Sequence, residues 1–523
     1  MNNRHIRTGF VAGLTLWTAQ IYAQTRPNIV LFMVDDMGWQ DTSLPLYGKE
    51  NPLNSRFHTP NIERLASMGA KFTQAYANSI SSPSRCSLMT GMNQCRHRVT
   101  NWTLRLNQMT DEKNDEVCVP DWNYNGIQPV EGIGNAAYAT SFVQLLQRNG
   151  YHTIHVGKAH FGAQQTPAEN PRTFGFDVNI AGHAAGGPAS YLGEDHYGMD
   201  GYHGKNAAFG IPDLEVYWDK NVFATEALTQ EALKALEQCR LSEKPFYLYM
   251  SHYAVHIPLD KDTRFYDRYR AEGLDDTEAR YAALVEGVDK SLGDLLDYLE
   301  REKLADNTII IFMSDNGGLD YGARGAAPEG RHNWPLRSGK GSAFEGGVRE
   351  PMIVCWKGKV SPGTVIDDYL IIEDFYPSIL EMAGIKGYKS QVPQAIDGRS
   401  FVPFLEGRNR GNNKRMLVWN TPHTWLPTGF QDKPDTPDSI RKGYGQTCAI
   451  RQGDWKLIYY YNTGWKGLYN LRNDIREDHN VAAEHPAIVR RLSKALGKYL
   501  RDADAQRPTF KADGKPCPWP DEI

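Results

Sequence analysis

Five short, continuously apolar runs constrain the fold of this 523-residue chain more than any other feature. They occupy residues 28–34, 152–156, 245–250, 308–313 and 352–356. Apolar runs without alternation are typical of strands that are buried on both faces of a sheet. Between them, apolar residues recur every three or four positions from Tyr281 to Leu299, which predicts a long helix. Thr59, a capping residue type, followed by Pro60 predicts the start of an earlier helix. Alternating strands and helices favour an α/β sheet that is covered on both sides.

Polar side chains follow four of these runs at the point where each run ends. They are Asp35, Asp36, Lys158, His160, His252, His256, Asp315 and Asn316. In open α/β sheets the ligand site lies beyond the carboxyl ends of the strands. We therefore expect these side chains to converge on one crevice.

The character of the sequence changes near Phe404. A loop rich in Asn, Gly, Pro and Asp leads to strand patterns at residues 448–450, 455–459 and 468–471, and then to an amphipathic helical pattern over residues 486–500. We predict a larger domain over residues 24–405, which carries the crevice, and a C-terminal α+β subdomain over residues 406–523. Two units suit a chain of this length.

The N-terminus is typical of an export signal peptide spanning residues 1–23. Arg4 and Arg7 supply positive charge, residues 10–19 are mostly apolar, and Ala23 is a small residue before the expected cut. The apolar stretch is too short to span a bilayer comfortably, and no later segment approaches the roughly 20 apolar residues that a spanning helix needs. We expect the mature protein to be exported and soluble.

Charge and cysteine content exclude several classes of protein. With 58 basic and 62 acidic side chains, the chain has no overall field that would gather nucleic acid or anionic membrane. Its seven cysteines lack CxxC spacing, so they indicate neither a zinc cluster nor a thioredoxin-like motif. Cys86 and Cys95 could form a short disulfide bridge, and mostly buried free thiols are the alternative.

Residues 81–91, SSPSRCSLMTG, contain the most informative motif of the chain. Pro83 is favoured in the first turn of a helix, which places Ser81 at the helix N-terminus, where free N–H groups and the helix dipole favour an anion. Arg85 lies one helical turn further along the same face and adds a positive charge. The residues alone leave two interpretations open, a hydroxyl nucleophile in an anion pocket or an ordinary serine-capped helix.

This segment resembles the signature of the type I, formylglycine-dependent sulfatases, C/S-x-P-S-R-x-x-L-x-T-G, at every specified position, with serine in place of the more common cysteine. Other segments are similar to further motifs of this family, in the family's order: residues 28–38, 157–160, 256–258, 314–318, 340–351, 451–456 and 468–471. The resemblance covers nearly the whole mature chain. It implies an α/β fold of the alkaline-phosphatase-like superfamily, a large mixed sheet sandwiched by helices with a smaller C-terminal subdomain, and the hydrolysis of sulfate esters by a serine-type bacterial member.

The resemblance also implies a modified nucleophile and a metal ion. Ser81 would be oxidised to formylglycine by a sulfatase-maturating enzyme before export; of the two hydroxyls on its hydrate, one attacks sulfur and the other then expels sulfate. Asp35, Asp36, Asp315 and Asn316, together with Ser81, would bind one metal ion. These hard oxygen ligands suit calcium or magnesium better than zinc. The resemblance favours calcium.

The remaining site residues receive roles in the same way. Arg85, Lys158 and Lys340 would hold the sulfate oxygens and stabilise charge in the transition state. His256 would protonate the departing sugar oxygen, with Lys340 as a second donor, and His160 would help to deprotonate the hydrate.

Two other functions stay open from the sequence. The first is a phosphatase or phosphodiesterase of the same superfamily that uses unmodified Ser81, although its two-metal chemistry would need further His and Asp ligands. The second is an inactive glycan-binding relative, which would be expected to have lost at least one motif. The sequence is also compatible with Ser81 being an engineered replacement of cysteine.

The expected substrate is a sulfated carbohydrate of a host glycan, such as a mucin O-glycan or a glycosaminoglycan, cut by an exo-acting enzyme, with galactose-type sugars favoured. His183, His332 and His423 lie in polar and aromatic segments and are candidate sugar-binding residues, with a structural role as the alternative. Because an export signal is present and no cysteine lies near the cut, we expect a periplasmic location.

Overall fold

A computed structural model describes residues 26–48, 51–242, 244–320, 322–324, 332–408, 415–428 and 436–523. The predicted export signal lies outside the described residues. Within these ranges, no helix combines the length and the apolar character that crossing a bilayer requires.

Strands and helices alternate through most of the described chain. The strands are β1 (Asn28–Val34), β2 (Ala70–Tyr76), β3 (Val117–Cys118), β4 (Ile127–Gln128), β5 (Ala137–Tyr138), β6 (His152–Gly157), β7 (Val178–Ile180), β8 (Phe246–Ser251), β9 (Thr308–Ser314), β10 (Arg349–Trp356), β11 (Thr364–Ile366), β12 (Leu370–Ile371), β13 (Met416–Thr421), β14 (Thr447–Gln452), β15 (Trp455–Tyr460), β16 (Lys466–Asn470) and β17 (Thr509–Phe510). The α-helices are α1 (Pro60–Met68), α2 (Ser81–Thr90), α3 (Gln94–His97), α4 (Phe142–Arg148), α5 (Ala224–Arg240), α6 (Tyr266–Ala271), α7 (Asp276–Arg301), α8 (Glu345–Val348), α9 (Phe375–Met382), α10 (Val402–Leu405), α11 (Pro437–Lys442) and α12 (Pro486–Asp502).

The large sheet has nine strands in the order β11-β2-β10-β9-β1-β8-β6-β7, with β12 also paired to β2. The run from β9 through β1, β8 and β6 to β7 is parallel, whereas β10 is antiparallel to both β9 and β2. All five predicted apolar runs form strands of this sheet, which confirms the predicted fold class. Their carboxyl ends, β10 excepted, lie at one edge of the sheet.

Strand β1 shows why its sequence is apolar without alternation. Ile29, Leu31 and Met33 pack into the core on one face of the sheet, and the residues between them pack into the core on the other face. Helices α2, α4 and α9 contribute side chains to the first core, while α1, α5 and α7 contribute to the second. Because successive side chains of a strand point to opposite faces, both parities must be apolar in a sheet that is covered on both sides.

The N-terminus of α1 is satisfied differently from the sequence prediction. Thr59 precedes the helix as expected, but its side chain makes no capping hydrogen bond to α1 and instead contacts Thr42 and Ser43. A carboxylate on α7, Asp289, accepts from the backbone N–H groups of Asn61 at 3.2 Å and Ile62 at 2.8 Å. A tertiary contact therefore satisfies these N–H groups in place of a local cap.

The C-terminal part contains the predicted strands and the predicted closing helix. Strands β13 to β16 form an antiparallel sheet in sequence order, and α12 packs Leu492, Leu496 and Leu500 into a core shared with β14 and β15. The boundary between residues 405 and 406 stays a prediction. None of the seven cysteines forms a disulfide in this structure, and six of them are buried, so Cys86 and Cys95 are not bridged.

A buried polar joint connects the two sheets. The Asn93 side chain donates to the carbonyl of Val418 in β13 at 3.0 Å and to Glu373 Oε1 at 2.9 Å. The second carboxylate oxygen of Glu373 has no partner. Burial, reinforced by the neighbouring Asp374, raises the pKa of Glu373 to about 8. Glu373 is therefore protonated at neutral pH.

This raised pKa makes stability at the joint depend on pH. Below the ordinary carboxyl pKa, both the folded and the unfolded chain hold the Glu373 proton. As pH rises from about 4.5 to 8, only the folded chain holds it, so the free energy of unfolding falls, and the loss is complete above pH 8. We expect Glu373→Gln to match the wild type at pH 4 and to exceed it by a few kcal/mol at pH 9, measured by denaturant unfolding. Glu381→Gln, an exposed position on α9, is the control. Equal differences at both pH values would contradict this assignment.

Candidate active site

The predicted site residues lie at the carboxyl ends of the parallel strands. Asp35 and Asp36 follow β1, Lys158 follows β6, and Asp315 and Asn316 follow β9. His252 follows β8 but turns away from the site, with its Nε2 2.9 Å from Ser291 Oγ on α7. The crevice expected from the sequence is therefore present, with His252 outside it.

Ser81 is the first residue of α2 and is almost completely buried. Its hydroxyl makes no helix cap. Ser81 Oγ lies 3.0 Å from Asn316 Oδ1 and 3.2 Å from Asp35 Oδ1, so it donates to one of these oxygens, and it accepts from Lys158 Nζ at 2.9 Å. This geometry favours the nucleophile interpretation over an ordinary serine-capped helix.

Three buried carboxylates surround this hydroxyl. Oxygens of Asp35, Asp36 and Asp315 lie within 4.8 Å of one another, and none of the three residues is exposed. Burial raises the pKa of Asp35 well above its ordinary value, and Lys158 offsets only part of this. Burial also opposes ionisation of Asp36 and Asp315, but Lys340 and Arg85 respectively lower their pKa values.

This set of ligands fits a hard divalent cation. Three carboxylates crowded in a dry site repel one another, and a cation between them relieves both the repulsion and the cost of burial. Asn316, at the same edge of the sheet, offers its amide oxygen as one more ligand. The orientation of this amide is set by its Nδ2, which donates to Asp36 Oδ1 at 2.8 Å. The residues present therefore suit such an ion, and their role as its ligands stays a prediction.

Arg85 and Lys158 lie beneath the site and are completely buried. Arg85 Nε donates to Asp315 Oδ2 at 2.8 Å, and Nη1 donates to Ser251 Oγ at 2.6 Å, while Nη2 has no partner. Lys158 Nζ donates to Asp35 Oδ2 at 2.7 Å, and burial lowers its pKa. Both cations hold carboxylates of the site in place, and their contact with a sulfate group stays a prediction.

Lys340 and His256 lie on the opposite side of Asp36. Lys340 Nζ is 2.7 Å from Asp36 Oδ1; burial opposes its charge, but Asp36 raises its pKa above the ordinary value. His256 Nε2 is 3.8 Å from Asp36 Oδ2. His256 Nδ1 lies 2.7 Å from the carbonyl of Ile257, and since a carbonyl only accepts, Nδ1 carries the proton. Burial and then Lys340 lower the pKa of His256 to about 3, so Nε2 of the neutral ring is an acceptor.

His160 has the reverse tautomer. Its Nε2 donates to the carbonyl of Thr103 at 2.9 Å, and its Nδ1 has no partner. Burial lowers the pKa of His160 well below its ordinary value, which keeps the ring neutral. The unpartnered Nδ1 lone pair is therefore available to accept a proton.

The backbone around the site is constrained. Asp36 and His160 both have positive φ values, 61° and 58°, which cost energy for residues other than glycine and concentrate at functional sites. Gly186 and Gly187 pack directly on the two histidines, because an added Cβ would lie 2.2 Å from the His160 ring and 2.6 Å from the His256 ring. This glycine pair could have been recognised in the sequence AAGGPAS, and it was not.

Above these groups lies a cavity of about 480 Å³. Ser81, Asp36, His160, His256 and Lys340 line its inner end. The outer wall includes Trp102, Glu112, Asn206 and Phe209, which the sequence prediction missed, and Trp425, which lies two residues after the predicted His423. These side chains come from loops that are distant in the sequence, so no local pattern connected them.

The three histidines predicted to bind sugar are not among the residues that line this cavity. Burial lowers the pKa of His183 to about 4 and of His423 to about 3. His332 is buried, with its backbone N–H donating to Asp320 Oδ1 at 2.7 Å and its Nδ1 3.7 Å from Glu278 Oε1. Their assignment to substrate stays a prediction.

Comparison with known proteins places this site in a family. A model described as Sulfatase matches residues 27–385, and one described as N-sulphoglucosamine sulphohydrolase, C-terminal, matches residues 330–505. A protein named Sulfatase from Formosa agariphila is 28% identical over 95% of this chain and 93% of its own length. Human N-acetylgalactosamine-6-sulfatase is 31% identical over 73% of this chain and 66% of its own length.

Solved structures agree with the sequence comparisons. The crystal structure of Ps i-CgsB in complex with k-i-k-neocarrahexaose matches with a TM-score of 0.69 and 27% identity, covering 92% of this chain and 94% of that one. The family model covers more than half of the chain, so the resemblance inferred from the motifs is confirmed. The chain belongs to the sulfatase family and is a sulfuric ester hydrolase.

Proposed function

We propose that the enzyme removes O-sulfate groups from a carbohydrate, using formylglycine made from Ser81. One observation supports this most strongly. The Ser81 hydroxyl lies among buried carboxylates and Lys158 at the inner end of a cavity, where it does not cap its own helix. After attack on sulfur a bare serine would be left as a sulfate ester that hydrolyses slowly, whereas the formylglycine hydrate has a second hydroxyl that can expel the sulfate.

The overall reaction consumes one water molecule. The bond between sulfur and the bridging sugar oxygen breaks, that oxygen gains a proton, and hydrogensulfate leaves with the hydroxyl that water supplied. Asp35, Asp36, Asp315 and Asn316 would hold one calcium ion, which supplies positive charge against the sulfate oxygens and lowers the pKa of the nucleophilic hydroxyl. A sulfatase-maturating enzyme would make the formylglycine.

The protein's own groups would move the protons. His160 would accept a proton at its free Nδ1. His256 would act as the acid through Nε2, which first has to be protonated; the negative charge of a bound sulfate ester raises the pKa of a neighbouring imidazole and favours this. Lys340, already charged, is the second donor toward the leaving oxygen.

The acid role of His256 predicts a dependence on the leaving group. His256→Ala should lower kcat on a sugar sulfate by about 100-fold or more, since an alkoxide leaves poorly without a proton. On 4-nitrophenyl sulfate, whose phenolate leaves readily, the loss should be less than about tenfold. His58→Ala, at an exposed surface histidine paired with Glu272, is the control. An equal loss on both substrates would contradict the acid role of His256.

The comparisons support a carbohydrate substrate. One relative is named N-acetylgalactosamine-6-sulfatase, and a structural neighbour was solved in complex with k-i-k-neocarrahexaose. We propose an exo-acting enzyme for host glycans, with galactose-type sugars favoured. A panel of monosaccharides sulfated singly at O2, O3, O4 or O6 would identify the position.

Mass spectrometry tests the modification. Cleavage after Lys71 and Arg85 releases residues 72–85 as one peptide, and oxidation of Ser81 to formylglycine makes it about 2 Da lighter. The expected result is the lighter peptide together with sulfate release from the panel. An intact serine in protein from a maturase-containing host would favour the phosphatase alternative.

The phosphatase alternative has a structural requirement of its own. Two-metal phosphoryl transfer places ions about 4 Å apart, so it needs further ligands beside the first set. In the ranges that the structure describes, Asp35, Asp36 and Asp315 form the one cluster of three or more such ligands.

We further propose that the protein is exported to the periplasm, on the strength of the N-terminal signal.

A further inference from the structure

The outer part of the active-site cavity has an apolar wall. The residues that form it include Trp102, Phe209, Leu319, Trp425 and Leu426. Aromatic and aliphatic surfaces of this kind take the C–H faces of a sugar ring, while polar groups select its substituents. The wall therefore suits the sugar part of a substrate whose sulfate lies at the inner end.

Hydrogen bonds connect the two segments that contribute tryptophans to this wall. The backbone N–H of Glu112 donates to the carbonyl of Thr424 at 3.0 Å, and the backbone N–H of Thr424 donates to Asp111 Oδ1 at 3.2 Å. Trp425 also lies directly on Gly341, where an added Cβ would be 2.0 Å from its ring. The wall is thus fixed to the loop that carries Lys340.

Glu112 is the charged group among the described residues of this outer wall. It is exposed and lines the cavity, and its carboxylate forms no hydrogen bond or ion pair with the described residues. The other charged residues of the described lining, Asp36 and Lys340, are paired with each other at 2.7 Å at the inner end. A second anionic substituent on the sugar would therefore face the Glu112 carboxylate, which repels it. The described lining offers no unpaired cation that would attract it.

We infer that Glu112 makes this enzyme selective for a sugar unit whose only charged group is the sulfate that is removed. The sugar hydroxyls would donate to the Glu112 carboxylate. Disulfated units and units joined closely to a uronate are disfavoured by repulsion. This inference rests on the proposed carbohydrate sulfatase function, and it narrows the substrate class within it.

Binding measurements separate this inference from catalysis. In a Ser81→Ala background with calcium present, titration calorimetry would compare monosulfated galactoses with the corresponding disulfated galactoses. We expect the best monosulfated sugar to bind at least about tenfold more tightly than its disulfated forms. Adding Glu112→Gln should reduce that ratio at least about threefold by improving disulfated binding and weakening monosulfated binding.

Glu116→Gln is the matched control, because Glu116 is an exposed glutamate four residues away that does not line the cavity. It should leave the ratio unchanged. Equal binding of mono- and disulfated sugars, or an unchanged ratio in Glu112→Gln, would overturn the inference. Failure of the proposed function has a different signature, namely no sulfate release by formylglycine-containing enzyme from any sugar of the panel.

Discussion

Replacing Ser81 with alanine should abolish sulfate release, with a loss in kcat of about 10⁴-fold or more, as expected when the nucleophile of a preorganised site is removed. The Ser81 hydroxyl is the group shared by Lys158, Asp35 and Asn316, and alanine can provide neither the hydroxyl nor its oxidised form. Initial rates on 4-nitrophenyl sulfate and on the preferred sugar sulfate measure the effect.

Ser87→Ala is the control for this experiment. Ser87 lies on the same helix, but its hydroxyl contacts Asn78 and His97, away from the carboxylates. It should cost about 1 kcal/mol of stability and retain activity. Residual turnover by Ser81→Ala within about tenfold of the wild type would exclude Ser81 as the nucleophile.

Asp315→Asn should lower the stability of the protein and reduce the stabilisation expected from calcium. The substitution removes the buried carboxylate that pairs with Arg85 at 2.8 Å, leaving an uncompensated buried guanidinium. Breaking a buried pair in this way costs about 3–5 kcal/mol. At the proposed calcium site, calcium should raise the melting temperature of the wild type, and the variant should lose most of that increase because one of the three proposed carboxylate ligands is missing.

The control for Asp315→Asn is an exposed pair. Asp297→Asn removes one of the two carboxylates on the surface of α7 that pair with Arg64, the one at 2.7 Å, and should cost about 0–1 kcal/mol with no change in the calcium effect. Thermal unfolding with calcium and with a chelator provides both readouts. If calcium stabilised Asp315→Asn as much as the wild type, Asp315 would not be a ligand.

The inner site was predictable from the sequence because its chemistry follows directly from strand ends. Asp35 comes immediately after the apolar run at residues 28–34, and Asp315 comes two residues after the run at residues 308–313. Such runs are typical of buried strands, and parallel strands end at one edge of a sheet. Pro83 fixed the start of α2 and hence the position of Ser81. At each of these residues, the position predicted from the local sequence is the position that the sheet topology gives it.

The outer wall could not be predicted in the same way. Trp102 and Trp425 are more than three hundred residues apart in sequence, and they meet at the cavity through backbone contacts between loops. The cap of α1 had the same difficulty, because Asp289 reaches it from another helix. The composition of its segment predicted a sugar contact for His332, and the fold buries this side chain beside Glu278. Loop contacts of this kind depend on the assembled fold.

The burial of α2 has a consequence for the order of events during biosynthesis. Every residue of this helix is buried, and Ser81 is only 2% exposed, so another enzyme cannot reach its hydroxyl once the sheet has closed around it. On the proposed mechanism, oxidation must act on the nascent or unfolded chain. Oxidation and folding therefore compete in time, and a chain that folds first is permanently inactive however well it is folded. Slower synthesis, or more maturase, should raise the active fraction without changing the yield of folded protein.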